Sequence, residues 1–379
     1  MYWLYRPRFR MLGFFPKATF GRWILLFGIG CYLCACAVFF ESVVKPSLEH
    51  GDRFHVGADS AGYLDVAGFN PSGRWVPMST GTALVTVGGN YLGPVLEARV
   101  TKSLEGIALV NIGLFLTALY CASKLPGVSL ECLVFLLLMD PTLTFALLTA
   151  NKEIFALLGA VLFVHYVSTN KRSVISLVIL IAVSLLARWE QAFVTIVALC
   201  FESEASPLRG RRKLALLLTA LTITFTYPLI VRTGLVDLSG MIDFASAGNL
   251  GPKLNAVQAS FGFLLILVPK VLLNLFGHLL SPGMFLGDFL TGDPLDIQNY
   301  MVIPLHTLAT FVVLTAIVVK HKWDLRKPTI YWCAIYLLVT AVSPVIQPRY
   351  QYSVYVILAV ELSGLSMRIK PGPGEGAFA

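Results

Sequence analysis

Long apolar segments separated by short polar clusters dominate the chain between residues 22 and 367. Several of these segments approach the roughly 20 residues that an α-helix needs to cross about 30 Å of hydrocarbon. They are continuously apolar and do not alternate as the strands of a membrane barrel do, so helices are the predicted spanning elements. The pattern therefore predicts an all-α, polytopic membrane protein.

The breaks between the apolar segments predict about ten spans and one irregular segment. The predicted spans lie at about 22–43, 105–122, 128–139, 152–168, 213–231, 302–320, 329–346 and 350–367, with two more within 173–201 on either side of the sequence ARWEQ. Residues 257–280 form the irregular segment, which we expect to be re-entrant or interfacial. A single crossing there would place the following acidic loop in the cytoplasm and the next basic cluster outside, against the positive-inside pattern. Pro269 is the predicted bend in this segment.

Composition supports the membrane class. Of the 379 residues, 56% are hydrophobic and only 13% are charged, against about 25% charged in soluble domains. The net charge of +8 comes largely from Lys and Arg clusters beside apolar segments, which is the positive-inside pattern and not the basic stripe of a nucleic-acid-binding face. We therefore expect a lipid bilayer as a partner, no nucleic acid, and both termini in the cytoplasm.

The same pattern divides the chain into three parts. Residues 1–21 form a basic cytoplasmic N-terminus, residues 22–367 a transmembrane domain, and residues 368–379 a disordered cytoplasmic tail. Within the transmembrane domain we expect an outer loop at 44–104 and an irregular outer region at 233–300.

Ionisable residues collect on the predicted outer face, where they are costly unless paired or used. Cations there could hold the oxygens of a lipid-linked phosphate, and a carboxylate could act as general base, with or without a divalent metal such as Mg²⁺ or Mn²⁺. The candidates are Asp59 as catalytic base; Lys152, Glu153, Arg188 and Arg349, with Tyr63 and Tyr350, as substrate or phosphate contacts; and Asp140, Glu190 and Arg232 as secondary candidates.

Each candidate also has a structural interpretation. Asp59 could cap a short helix, and Lys152 with Glu153 could simply end a span. Arg188 interrupts an apolar run, which favours a functional role. The isolated histidines, among them His306, favour a polar contact over a metal site. The sequence contains no zinc-binding, P-loop, dinucleotide-binding or serine-hydrolase motif and no predicted metal ligands.

Three short motifs give the chain a resemblance to a known class. They are a first-loop D-x-x-x-Y-x-x-x-A pattern beginning at Asp59, an N-K-E turn at residues 151–153 after Pro141, and a P-R-Y sequence at residues 348–350. In this order the chain resembles the GT-C class of integral-membrane glycosyltransferases. The resemblance implies transfer from a polyprenyl-phosphate or polyprenyl-diphosphate sugar on the outer face, with Asp59 as base. Ser60 stands where many relatives have a second acid, so metal dependence stays open.

We therefore expect a bacterial cytoplasmic-membrane enzyme of surface polysaccharide synthesis, acting on a polyprenyl-linked sugar and a glycan acceptor. A polysaccharide or O-antigen polymerase has a comparable layout and is the alternative within the enzyme class. A transporter or flippase of lipid-linked glycans is the alternative from another class. A non-catalytic scaffold of a polysaccharide assembly complex would not depend on any single outer-face charge.

Overall fold

The computed structural model describes residues 18–49, 58–68, 91–169, 173–232, 250–280, 301–320, 322–343 and 347–365. All regular secondary structure in these ranges is helical, and none of them contains a β-strand. The all-α prediction is therefore confirmed. The predicted tail and most of the predicted basic N-terminus lie outside the described residues.

Two described helices are long and apolar enough to cross a membrane. The first consists of α1 (Ala18–Phe39), a π-helical turn (Phe40–Val44) and α2 (Lys45–Glu49), and its candidate span is Trp23–Glu49. The second is α5 (Leu104–Ser123). A third candidate is bent: α6 (Leu130–Leu138) and α7 (Thr142–Leu148) meet at 87°. The described residues thus hold two or three candidate spans, and the ten-span arrangement stays a prediction.

The remaining helices are not among these candidate spans. They are α3 (Ala58–Ala67), α4 (Leu92–Thr101), α8 (Glu153–Ser168), α9 (Val174–Ala187), α10 (Trp189–Phe201), α11 (Arg212–Arg232), α12 (Leu250–Ala259), α13 (Phe263–Leu280), α14 (Ile303–Val319), α15 (Pro328–Thr340), a 3₁₀ turn (Pro348–Gln351) and α16 (Tyr352–Leu362). The predicted break within 173–201 is confirmed, because only Arg188, in extended conformation, separates α9 from α10.

The irregular segment bends at positions other than the predicted one. Pro269 lies inside α13, and the backbone leaves helical geometry at Phe276 instead. A second break precedes α13, where Phe261 takes a left-handed φ of 63° between α12 and α13. The prediction that Pro269 marks the bend was therefore wrong, and the helix continues through the residue that lacks a backbone donor.

The predicted outer loop at 44–104 contains helices of its own. α3 ends at Gly68, whose φ of 75° is strained for other residues, and α4 ends at Lys102 with a φ of 54°. Ser103 then caps α5, because its Oγ accepts from the Gly106 backbone N–H at 2.9 Å. α3 and α4 pack against each other and so form a helical pair outside the long apolar helices.

α16 is the centre of the bundle. It contacts α6, α8, α14 and α15, and every residue from Tyr352 to Glu361 is buried. The charged residue of this helix has partners, because Glu361 accepts from Lys327 at 2.7 Å and from Thr329 at 2.5 Å. Its 11 residues make about 16 Å of helix at 1.5 Å per residue, and their burial shows that other parts of the protein surround it.

The surface and the interior have the polarity expected of a bilayer protein. Large apolar side chains face outward, as in Trp23 and Phe27 of α1 and Val174 of α9, while Asn111 and Gln191 are fully buried. Exposed apolar area of this extent is unusual for a soluble monomer. The described helices are therefore compatible with a membrane environment.

Candidate functional site

The phenol ring of Tyr350 is the common contact of three cationic side chains. The distance from the ring centroid is 4.1 Å to Arg188 Cζ, 5.3 Å to Lys152 Nζ and 5.7 Å to Arg349 Cζ. Cations within about 6 Å of an aromatic face are attracted by its quadrupole. We use the name Tyr350 cluster for Tyr63, Lys152, Glu153, Arg188, Arg349 and Tyr350.

The cationic groups of the cluster are buried. The exposed fraction is 4% for Lys152, 5% for Arg188 and 6% for Arg349. Buried charges need partners, and Arg188 Nη2 lies 3.0 Å from Glu153 Oε1, while Arg349 Nε donates to Gln347 Oε1 at 2.9 Å. This concentration of positive charge inside the protein is the electrostatic property expected of a binding site for an anion.

Lys152, Glu153 and Arg188 lie at helix ends, where the direction of the chain changes. Lys152 and Glu153 begin α8, and Arg188 is the single residue between α9 and α10. One turn into α10, the side chain of Gln191 donates to the Ala156 carbonyl at 3.3 Å and accepts from Ser353 at 2.8 Å. Gln191 thereby ties α10 to both α8 and α16 beside the cluster.

Tyr63 brings the α3–α4 pair to the same place. Its ring is buried, lies 5.8 Å from Lys152 Nζ, and meets the ring of Tyr91 edge-on at 4.9 Å. α4 then approaches α9 closely, because a Cβ on Gly93 would lie 2.2 Å from the Leu186 carbonyl oxygen. The N-terminal helical pair is thus docked next to Arg188.

Asp59 lies one turn before Tyr63 on α3, but its side chain lies outside the described part of the structure. The backbone position puts it on the helix that reaches the cluster. Its predicted role as base stays a prediction.

Asp140 pairs with His306, a residue that the sequence analysis did not select. Asp140 Oδ2 lies 2.6 Å from His306 Nδ1, and both side chains are buried. The other ring nitrogen, Nε2, lies 3.2 Å from the carbonyl oxygen of Pro348, directly before Arg349. Asp140 and His306 are 166 positions apart in the sequence, which explains why no local pattern indicated the pair.

The other two secondary candidates differ in position. Glu190 is half-buried in the first turn of α10, two residues after Arg188. Arg232 is exposed at the end of α11, where its guanidinium lies 5.3 Å from the ring of Phe261. No contact with a described residue of the Tyr350 cluster is seen for Arg232.

The described residues of the cluster do not fit a divalent cation. Their one carboxylate, Glu153, is bonded to Arg188, and the neighbouring charges are positive. Within the described ranges, no group of three or more His, Cys, Asp and Glu side chains has the arrangement of a metal site.

Glu97 is an acid that the sequence analysis missed. It lies on α4 one turn after Gly93, is only 5% exposed, and neither carboxylate oxygen has a hydrogen-bond partner in the described structure. Burial raises the pKa of Glu97 to about 9. The signal was present in the sequence as a single acid within the largely apolar stretch LGPVLEARV, whose other charged residue is Arg99.

Comparison of the chain with protein-family models, curated proteins and solved structures gives no match.

Proposed function

We propose that the protein is a membrane glycosyltransferase that moves a sugar or oligosaccharide from a polyprenyl phosphate or diphosphate to a glycan acceptor. The convergence of Lys152, Arg188 and Arg349 on the ring of Tyr350 is the observation that carries this proposal. Buried cations of this density suit the phosphate group of a lipid-linked substrate, whose chain can stay in the bilayer.

In this mechanism the acceptor hydroxyl oxygen attacks the anomeric carbon of the donor sugar. Asp59 takes the hydroxyl proton, and the bond from the anomeric carbon to the carrier phosphate oxygen breaks, leaving its electron pair on the phosphate. The three cations stabilise the negative charge that develops there. Glu153 orients Arg188 through their 3.0 Å contact.

The proposal includes the ten-span arrangement in a bacterial cytoplasmic membrane, with both termini inside and the Tyr350 cluster facing outside. Support comes from the flanking basic clusters and from the candidate spans among the described helices. The acceptor would then be a growing surface glycan, delivered alone or within a polysaccharide assembly complex.

The experiment that tests the proposal measures surface glycan in cells carrying Asp59→Asn or Arg349→Ala. Arg232→Ala is the matched control, because it removes an exposed arginine that makes no described contact with the cluster. We expect normal amounts of membrane protein in all three strains, and loss of glycan only with the first two variants.

Product length separates the enzyme classes. Accumulation of single repeat units would indicate a polymerase, and units that lack one sugar would indicate a transferase. Normal glycan with both Asp59→Asn and Arg349→Ala would refute the catalytic assignment and favour the transporter or scaffold alternatives.

A further inference from the structure

The Asp140–His306 pair links three separate parts of the fold. Asp140 lies at the 87° bend between α6 and α7, where its Oδ1 also accepts from the Thr142 backbone N–H at 2.9 Å. His306 comes from α14, and its Nε2 reaches Pro348 in the 3₁₀ turn that carries Arg349 and Tyr350. The pair is therefore hydrogen-bonded to the backbone directly before Arg349 and Tyr350 of the Tyr350 cluster.

The partners of the two ring nitrogens differ in kind. A carbonyl oxygen can only accept, so His306 Nε2 is the donor in the hydrogen bond to Pro348. Nδ1 faces Asp140 Oδ2 at 2.6 Å, and both side chains are buried.

The 3₁₀ turn is held at a second point. The Tyr336 hydroxyl donates to the backbone carbonyl of Tyr350 at 3.1 Å, while His306 donates to that of Pro348 at 3.2 Å. Arg349 lies between these two carbonyls. Both donors are buried on other helices, α14 and α15, so the turn is fixed relative to the bundle.

We propose that His306 is a positioning residue, whose Nε2 bond to the Pro348 carbonyl holds the backbone of Arg349 and Tyr350 in the geometry that binds the substrate phosphate. The binding part of this inference rests on the proposed function. The positioning part rests on the hydrogen bonds alone.

Two substitutions of His306 separate its two contacts. A glutamine side chain reaches the position of the ring Nε2, so His306→Gln keeps a donor for Pro348 and loses the bond to Asp140. An asparagine amide reaches only the position of Nδ1, so His306→Asn keeps a group facing Asp140 and leaves the Pro348 carbonyl without its donor. Both replacements are polar amides, and they differ by one methylene group.

The first readout is the Kd of inorganic pyrophosphate for the full chain purified in detergent, measured by calorimetry. We expect His306→Asn to raise the Kd about tenfold, which corresponds to one well-formed hydrogen bond, and His306→Gln to stay within about threefold of wild type. Arg349→Ala should remove measurable binding. A Kd unchanged by His306→Asn, or raised equally by both His306 variants, would contradict the proposal.

The second readout needs no ligand. Tetranitromethane nitrates accessible tyrosines, and mass spectrometry gives the rate at half-buried Tyr350 relative to Tyr120, which is 65% exposed. His306→Asn should increase this ratio several-fold and His306→Gln should not. An equal ratio in all three proteins would overturn the positioning role.

The two readouts distinguish this inference from the proposed function. Wild-type protein that fails to bind pyrophosphate, but shows the expected nitration difference, would refute the phosphate site and keep the positioning role. Pyrophosphate binding by wild type without any nitration difference would keep the phosphate site and refute the positioning role.

Discussion

Replacing Arg188 by leucine, alone or together with Glu153→Leu, separates the contribution of the buried ion pair to stability from its contribution to phosphate binding. The change leaves the Glu153 carboxylate, which is 2% exposed, without the guanidinium 3.0 Å away. Removing one partner of a buried pair costs about 3–5 kcal/mol. Loss of the contact with the Tyr350 ring, 4.1 Å from the guanidinium, adds about 0.5–2 kcal/mol.

The double variant Arg188→Leu with Glu153→Leu removes both charges. Apolar replacement of a buried pair is often close to neutral, so we expect the double variant to recover most of the stability lost by the single one. The free energy of unfolding would be measured by urea titration in mild detergent, followed by tryptophan fluorescence. Pyrophosphate affinity, in contrast, should remain lost in both variants, since neither has the guanidinium.

Two results would refute this reasoning. If Arg188→Leu costs less than about 1 kcal/mol, the pair behaves as a solvent-exposed one. If the double variant binds pyrophosphate as tightly as wild type, Arg188 contributes only to stability and the phosphate-binding role is wrong. Arg188→Lys is the matched control for charge, because lysine keeps the positive charge but not the planar fork.

Substitutions at three further positions test other contacts. The pKa of Glu97 is raised to about 9, so the unfolded chain loses this proton near pH 4.3 while the folded chain keeps it, and the free energy of unfolding of the wild type should fall by up to about 1.4 kcal/mol per pH unit between those two pH values. Glu97→Gln should remove this pH dependence in urea titrations from pH 5 to 8. Equal slopes in the two proteins would contradict the prediction. Gly93→Ala should lower the melting temperature, because its Cβ would meet the Leu186 carbonyl at 2.2 Å; an unchanged value would mean that α4 does not touch α9. Tyr350→Phe keeps the ring and should bind pyrophosphate within about threefold of wild type, whereas Tyr350→Leu should weaken binding about tenfold, and equal affinities would exclude a role for the ring.

Local patterns in the sequence were sufficient for the helical class and for the interruption at Arg188. A charged residue in an apolar run can satisfy its side chain only where the helix ends or where a partner lies opposite, and here both conditions hold. The bend at Phe276 could not be read from residue types, because the residue that usually disrupts helices, Pro269, is accommodated within α13.

Most of the predicted contact residues do meet, although they come from distant parts of the chain. Lys152, Arg188 and Arg349 all contact the ring of Tyr350. The predicted topology places these residues on the same face of the membrane. This reduced the number of residues that each could contact, so their grouping could be predicted from the sequence. The Asp140–His306 pair had no such signal, because a single buried histidine has the same sequence appearance whether or not a carboxylate lies opposite.

The position of α16 has a consequence for biogenesis. The helix at the centre of the bundle, Tyr352–Leu362, is also the last one in the described chain to leave the ribosome. Until it arrives, α8, α14 and α15 have no partner for the faces that they bury against it. The faces of these helices therefore stay unfilled during synthesis, and their final packing can begin only after residues 352–362 have been synthesised.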